Sequence, residues 1–359
     1  MDVKHIFDYA REVDTIIIYN KGGNVVDNNF FYLTQVKDGM FEGSFLIVRP
    51  DGIKIVTGEL EEQAARATGL EVIVINSRKD IEKALRSVLQ EVEVVGLNYS
   101  GITLADYTDL VKMMPDKRFV DVSVSIGEAR KIKTPDELKL LREAAKIASE
   151  AFENVTQYIK EGITETELSS RLVYEMLRLG ASEPSFSTII AFGPNSALPH
   201  YTPSNRKLKR NEYVLMDFGA LYHRYCSDIT RTLVFGKASE EQKEIYGIVK
   251  EAQEKAMNAI RANVNGKEID KIARDVIDST KYKGRFIHSL GHGVGMEVHD
   301  HPALSPGYDM PLKENMVVTV EPGIYVPNFG GVRIEDDVIV KKDGFERITK
   351  GSRELIEIS

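Results

Sequence analysis

Over its first 122 or so residues the chain alternates short apolar runs with amphipathic stretches of helical period. His5 to Val13 reads as a helix and Thr15 to Tyr19 as a strand; the polar, Gly/Asn-rich segment from Asn20 to Asn29 reads as a loop. Apolar runs predict strands at Phe30 to Thr34, Phe45 to Arg49 and Ile53 to Thr57, the last two closed into a hairpin by Pro50-Asp51-Gly52. Helices at Leu60 to Thr68, Asp80 to Gln90 and Leu104 to Met113 then alternate with strands at Glu71 to Ile75, Val92 to Leu97 and Arg118 to Val122. This rhythm predicts an α/β domain, residues 1–124, with a mixed sheet and flanking helices. It contains no catalytic constellation: Asp27, Asp38 and Glu59 read as turn or surface residues.

The pattern changes across Ser123 to Thr134. Thr134-Pro135-Asp136-Glu137 opens a helix with a capping threonine, a proline at the first helical position and an acid three residues after the cap. Leu138, Leu141, Ala145, Phe152 and Val155 continue it at helical spacing, and a second helix runs from Thr164 to Gly180. Strands follow at Ser187 to Phe192, Tyr213 to Gly219 and Tyr225 to Val234. Two more helices, Ser239 to Ala262 and Lys267 to Thr280, precede strands at Met316 to Pro322, Val332 to Val340 and Glu354 to Ile358. Helices then strands, twice over, predict an α+β domain, residues 125–359, built from two like halves, although no residue-level repeat is visible.

Composition narrows the field. A chain of 359 residues, 42% hydrophobic and 28% charged, can bury two sizeable cores. A net charge of −8 without a basic block argues against nucleic acid or an anionic membrane as partner. The N-terminus is too polar for a signal peptide, and no apolar run approaches the ~20 residues of a membrane span. Cys226 is the only cysteine, which excludes an intrachain disulfide, and it reads as structural. The expectation is a soluble, cytoplasmic protein.

The stretch from Phe286 to Asp300 sets three of the seven histidines, His288, His292 and His299, among glycines. His288 and His292 have the spacing of a zinc-binding helix, but the accompanying Glu is missing and Gly291 and Gly293 disfavour a helix. No Gly-x-Ser-x-Gly occurs and Cys226 has no evident partner, so a serine or cysteine hydrolase is disfavoured. The anomaly that carries chemistry is acid on apolar strands: Asp217, Asp228, Glu321 and Glu335. A buried unpaired carboxylate is very costly and ends up paired, protonated or bound to metal. Taken singly, each reads as a strand-end or salt-bridged residue. Together with His292 they read as a metal site, with Asp217 and Asp228 facing across one hairpin and Glu321 and Glu335 on successive strands. Four carboxylates balance two divalent cations, and an oxygen-rich set with one imidazole suits Mn²⁺, Co²⁺, Fe²⁺ or Zn²⁺. Two such ions share and activate a water.

Five motifs, Met-Asp-Phe-Gly-Ala (216–220), Ser-Asp-Ile-Thr-Arg-Thr (227–232), Gly-His-Gly-Val-Gly (291–295), Val-Glu-Pro-Gly-Ile-Tyr (320–325) and Gly-Val-Arg-Ile-Glu-Asp (331–336), resemble those of the pita-bread metallopeptidases: methionine aminopeptidase, aminopeptidase P and prolidase. Their order and spacing match across the whole second domain. The first domain, and the junction Arg130 to Glu137, resemble the creatinase-type N-terminal domain of prolidase and aminopeptidase P. The resemblance implies a C-terminal pita-bread fold with pseudo-two-fold αβ halves. It implies that Asp217 and Asp228 hold one metal and His292 and Glu321 the other, with Asp228 and Glu335 bridging both. A shared hydroxide then attacks the scissile carbonyl and Glu321 takes its proton. His200 matches a histidine near the leaving group, His299 one that contacts the substrate carbonyl, and His288 and Arg333 further active-site positions. The residues alone leave open that His200 and His299 are loop histidines satisfied locally and that Arg333 only supports the bridging carboxylates; His5, His223 and His301 read as surface or structural. Non-catalytic or metal-free members of such a fold are expected to lack ligands, and here the whole set is present.

The implied substrate is a small peptide with proline at the second position, whose scissile bond is a tertiary amide without an N–H. The implied activity is that of an Xaa-Pro dipeptidase with two divalent ions, Mn²⁺ or Co²⁺ ahead of Fe²⁺ or Zn²⁺, in a homodimer. The alternative is an Xaa-Pro aminopeptidase acting on longer peptides. Some prolidases carry an arginine shortly after the position of His299 that can clamp the substrate carboxylate. Here the segment reads His299-Asp300-His301-Pro302-Ala303-Leu304, so Arg333 or a cation from elsewhere has to serve, or longer peptides are admitted.

Overall fold

The computed structural model describes residues 4–359, in two compact units that meet in sequence between Arg130 and Lys131. The first unit is built on a six-stranded mixed sheet in the order β4-β3-β2-β1-β5-β6: β1 (Ile16–Asn20), β2 (Ser44–Arg49), β3 (Gly52–Gly58), β4 (Glu71–Ile75), β5 (Val94–Leu97) and β6 (Arg118–Asp121). β1, β2 and β3 pair antiparallel and the remaining pairs are parallel. Its helices are α1 (Lys4–Phe7), α2 (Asn28–Thr34), α3 (Glu62–Ala67), α4 (Arg78–Val88), α5 (Leu104–Met113) and α6 (Ser123–Lys131).

Two local expectations fail here for identifiable reasons, and one element is not anticipated by the sequence pattern. Phe30 to Thr34 is helical, not extended: the Asp27 side chain accepts the Asn29 N–H as an N-cap, and Phe30 and Phe31 both bury against Phe41. A short apolar run does not distinguish a buried helix from a strand by period. Ser123 to Lys131 forms α6, opened by Asp121, whose Oδ1 accepts the Ser123 N–H at 2.9 Å, so the expected division at residues 124 and 125 lies within a helix. The helix expected from His5 to Val13 stops at Phe7, beyond which the chain makes turns.

The second unit opens with α7 (Pro135–Thr156) and α8 (Glu165–Arg178), each started by a complete capping box on Thr134 and Thr164. Short strands β7 (Glu183–Pro184) and β8 (Ile189–Phe192) lead to β9 (Glu212–Phe218), β10 (Ala220–Tyr222), β11 (Tyr225–Cys226) and β12 (Ile229–Phe235). Then α9 (Glu240–Ala259) and α10 (Gly266–Asp278) precede β13 (Gly291–Gly293), β14 (Asp300–Leu304), β15 (Val317–Val320), β16 (Gly323–Val326), β17 (Gly330–Arg333), β18 (Asp336–Lys341), β19 (Gly344–Arg347) and β20 (Glu357–Ile358). The sheets run β20-β12-β9-β8 and β14-β13-β15-β18-β19, with smaller β11-β10-β7 and β16-β17 sheets. Phe152, Val155, Leu168 and Leu172 of α7 and α8 pack on Val214, Met216, Ile229 and Leu233; Ile245, Val249, Ile269 and Ile277 of α9 and α10 pack on Val318, Val320, Val338 and Val340.

The repeat hidden in the sequence is written in backbone hydrogen bonds. Gly162, Leu208, Glu165 and Thr166 donate to Leu208, Ile163, Arg206 and Ser204; in the other half Asn263, Leu312, Gly266 and Lys267 donate to Leu312, Val264, Met310 and Tyr308. Each second helix is thereby tied at its start to the chain entering the central hairpin. The strand expected from Val332 to Val340 is two strands: β17 pairs with β16, β18 pairs with β15, and the chain changes sheets at Ile334-Glu335.

Arg142 of α7 and Glu346 of β19 form a two-pronged ion pair at 2.7 and 2.8 Å. Hydrogen bonding to Arg142 brings the Glu346 carboxyl down to about 2. A carboxyl depressed in the folded state stabilises above its ordinary value near 4.5, and that contribution is lost as pH falls from there towards 2. Both side chains are over one-third exposed, so the effect is at most about 1 kcal/mol. The stability difference between wild type and Arg142→Met, from urea denaturation, is expected to be present at about pH 6 and to vanish near pH 2; a constant difference contradicts the assignment.

Candidate metal centre

A cavity of about 430 Å³ in the second unit is lined by Asp217, Asp228, Glu321, Glu335, His200, His288, His292, His299 and Arg333, every candidate that the sequence nominates. Phe186, Ile189, Pro199, Val298 and Ala303 supply its apolar wall.

Strand register explains the convergence. Asp217 on β9 stands opposite Thr230 of β12, and Asp228, two residues before Thr230, shares that face. Val320 pairs with Asp336, so Glu321 and Glu335 stand one step past the β15–β18 ladder. Only Asp217 lies within a strand; the other three acids sit at strand ends, where the backbone is free to turn their side chains inward. A bond from Glu335 N–H to Thr230 O at 3.1 Å joins the two hairpins, and the buried Arg231 holds the Glu335 carbonyl at 2.6 Å. His292 sits on β13 between glycines that tolerate no side chain: a Cβ on Gly291 lies 2.1 Å from Thr319 O, and one on Gly293 lies 2.3 Å from His301 C. No helix spans His288 to His292, in keeping with the rejected zinc-helix pattern.

The donors converge without neutralising one another. His292 Nε2 lies 3.3 Å from Glu321 and 3.7 Å from Asp228, and ligand atoms of Asp228, His292 and Glu335 all fall within 4.8 Å of one another. His292 Nδ1 faces the Gly293 carbonyl at 3.1 Å, an oxygen that only accepts. Nδ1 therefore carries the proton, and the Nε2 lone pair points at carboxylate oxygens. Burial, then the neighbouring His299, lowers the His292 imidazole to about 4. Burial is also the main cause that raises Glu321 to about 8 and lifts Asp228 and Glu335 well above the carboxylate range, with the other acids adding to it. Asp217 Oδ1, Asp228 Oδ1 and Glu335 Oε1 are buried with no hydrogen-bond partner among the described residues.

Two of the remaining candidates, Arg333 and His288, are joined in one hydrogen-bonded chain through Tyr325. Arg333, 3% exposed, donates to Asp217 Oδ2, to Tyr325 OH at 2.7 Å and to Thr230 Oγ1 at 3.1 Å. Tyr325 OH bonds His288 Nε2 at 2.8 Å, while His288 Nδ1 donates to Ser289 O at 2.8 Å. The tyrosine hydroxyl thus accepts from the guanidinium and donates to the imidazole. His200 and His299 are exposed at the cavity, the latter ring 4.3 Å from that of His292. His5, His223 and His301 are exposed away from the cavity wall, and Cys226 is buried outside it.

Sequence reasoning missed four contributors. Thr230 donates to Glu335 Oε2 at 2.6 Å, Thr319 to Glu321 Oε1 at 3.2 Å, and Asp337 Oδ2 accepts the Asp228 N–H at 2.9 Å. Tyr325 is the fourth. Alternation from Asp228 places Thr230 on the acid face, a usable signal; nothing in the pattern marks Tyr325, Thr319 or Asp337.

Comparison with known proteins decides the family. The model of metallopeptidase family M24 matches residues 139–342, and that of the creatinase/prolidase N-terminal domain matches residues 9–132. The chain belongs to metallopeptidase family M24. The Xaa-Pro dipeptidase of Pyrococcus furiosus is 40% identical over 315 residues, 88% of this chain and 89% of that protein. Among solved structures, an Xaa-Pro dipeptidase from Bacillus anthracis matches with a TM-score of 0.92 at 36% identity, covering 99% of each chain. An X-Pro aminopeptidase from Thermotoga maritima matches at 0.91 and 33% identity, over 98% of this chain and 100% of that one.

The M24 metallopeptidases use divalent metals, and this member's donors fit them: orphaned carboxylate oxygens, a lone pair aimed at acids and no competing cation except Arg333 on the cavity wall among the described residues. Because burial favours the protonated form of Asp228, Glu321 and Glu335, which a cation reverses, Mn²⁺ or Co²⁺ binding is expected to release protons at neutral pH. Calorimetry in buffers of different ionisation enthalpy reads this. The Glu321 share is expected to disappear as pH rises through about 8; metal binding without proton release near pH 7 contradicts the assignment. Tyr325→Phe is expected to keep the fold and metal content and to lower peptidase kcat/KM by roughly 10- to 100-fold; unchanged kinetics overturn its place in the network.

Proposed function

We propose that this protein is an Xaa-Pro dipeptidase dependent on two divalent cations. The observation that carries the reading is the cavity itself: four acids and one imidazole at the floor of a space of about 430 Å³, at the small end of ligand pockets. The naming of relatives as Xaa-Pro dipeptidases over most of the chain supports the same substrate class. In this reading residues 1–124 are the creatinase-like domain and 125–359 the catalytic one, and the protein works in the cytoplasm as a homodimer.

Asp217, Asp228, His292, Glu321 and Glu335 would hold the two ions; Mn²⁺ or Co²⁺ suits the set, ahead of Fe²⁺ or Zn²⁺. When bound, the ions supply an activated water and polarise the scissile carbonyl. Glu321 accepts a proton from the attacking water on a carboxylate oxygen and returns it to the proline nitrogen, which leaves as a secondary amine. His299 is assigned to the carbonyl oxygen as negative charge develops there. His200, beside Pro199 on the cavity wall, is assigned to the leaving-group side. Arg333 and Tyr325 fix Asp217 and His288. A tertiary amide offers no N–H, so a site that grips the carbonyl and proline ring suits it.

A second reading, an Xaa-Pro aminopeptidase, draws support from one observation. Arg333 is the only Arg or Lys on the cavity wall among the described residues, and its guanidinium is already engaged, so no free cation is evident there for a dipeptide's carboxylate. The deciding assay compares Gly-Pro or Leu-Pro with a longer Xaa-Pro-Xaa peptide, with Mn²⁺ or Co²⁺ and then with a chelator. Chelator-sensitive cleavage favouring the dipeptide is expected. Preference for the longer peptide supports the second reading, and metal-independent or absent cleavage of both overturns the proposal.

A further inference from the structure

We infer that Glu165 is a positioning residue for His200: a buried carboxylate at the start of α8 that clamps both ends of the segment carrying His200 into the cavity wall. Glu165 is fully buried. Its Oε1 accepts from Phe192 N–H and Asn195 Nδ2, both at 2.9 Å. Its Oε2 accepts from Tyr201 OH at 2.9 Å, Ser204 N–H at 3.1 Å and Ser204 Oγ at 2.6 Å. These donors come from residues 192–195 on one side of Pro199-His200 and from 201–204 on the other. Ser196 pins the first part of the stretch between, donating to Gly193 O at 2.6 Å and accepting from Gly331 N–H at 2.8 Å; from Ala197 to Pro203, Tyr201 OH is the side-chain group that bonds elsewhere among the described residues. The helix N-terminus favours the negative charge, and a carboxylate is the one side chain that offers only acceptors to so many donors.

The internal repeat separates this role from a general structural one. Glu165 and Gly266 occupy the same place in the two halves, each donating its N–H to the chain ahead of the central hairpin. At Gly266 there is no room for a side chain, since a Cβ lies 2.5 Å from Ala303 O. The helix start is thus held without such a carboxylate in the second half. What Glu165 adds in the first half goes to the His200 segment.

The inference rests on the proposed role of His200 in peptide hydrolysis, and a double-mutant cycle on the metal-loaded enzyme separates the two. Glu165→Gln replaces an acceptor oxygen with a donor amide facing other donors. It is expected to lower kcat/KM roughly ten-fold, a sub-ångström misplacement, with the same kcat-against-KM split as His200→Ala. Metal stoichiometry stays unchanged, and amides of residues 193–204 exchange faster with deuterium. In the His200→Ala background the same change is expected to have no further effect. A loss that multiplies with that of His200→Ala shows that Glu165 acts elsewhere and overturns the inference, as does full activity in folded Glu165→Gln. Full activity in His200→Ala instead removes the role of His200 itself. If Glu165→Gln does not fold, Tyr201→Phe, which keeps the carboxylate and removes one donor, takes its place. A smaller loss that disappears in the His200→Ala background supports the clamp, and wild-type kinetics reject it.

Discussion

Four carboxylates buried around one cavity repel one another when charged, and that repulsion is the constraint around which the second unit is organised. Two unit charges about 5 Å apart oppose each other by roughly 3 kcal/mol at an effective dielectric constant near 20. A fold that holds Asp228 and Glu335 within such a distance has to fix them from behind. Rigid supports do this: Thr230 on Glu335, the Asp228 N–H on Asp337, Arg231 on the Glu335 carbonyl, and Arg333 on Asp217. Asp217, Asp228 and Glu335 are each left with one oxygen that no protein group satisfies among the described residues. Stability alone gives no reason for that arrangement, because an apolar residue at any of these positions removes the cost. Cation binding does, since it turns mutual repulsion into shared coordination.

The internal repeat shows how one piece of geometry is used twice. In each half a helix start is tied by the same backbone bonds to the chain that enters a central antiparallel pair, and each pair delivers two acids. The halves diverge where the segment before that pair meets the helix. In one, a buried carboxylate at Glu165 grips a segment bearing His200. In the other, the chain closes directly on the bare backbone of Gly266 and carries His299. The acids follow the symmetry, whereas the segments bearing His200 and His299 are held differently, so the acid cluster and the substrate-facing wall are separable parts of the structure.

How legible this is in the sequence depends on whether a residue violates its local pattern. Asp217, Asp228, Glu321 and Glu335 stand out because acid falls within or at the end of otherwise apolar runs, and His292 because glycines leave it isolated. The six-stranded mixed sheet follows from the alternation of apolar runs with amphipathic helices. Phe30 to Thr34 misleads because five buried residues carry no period, and only the Asp27 cap distinguishes helix from strand. The break at Ile334-Glu335 is hard to see because the chain changes partners within a run that alternates like one strand. Tyr325 and Glu165 are hidden for the opposite reason: a tyrosine on a strand and a glutamate in a helix's first turn are ordinary where they stand. Only the groups that tertiary structure brings to them reveal what they do.

Arg333 shows how tightly charge is allotted in this cavity. Withdrawing it to bind a substrate carboxylate uncovers Asp217 and removes the donor that orients Tyr325, and through it His288. His288 offers no substitute cation, because its Nε2 already accepts from Tyr325 and burial, with Arg333 nearby, lowers it to about 4. His292 faces the acids. Within the second unit, the imidazoles left at the cavity for a substrate are those of His200 and His299, both exposed. Their placement then sets not only how the leaving group and carbonyl are held but also how the far end of a short peptide is met. The segment that Glu165 clamps consequently bears on specificity as much as on rate. Within the second unit, a preference for dipeptides is left to imidazole and backbone donors, with the arginine kept for Asp217 and Tyr325.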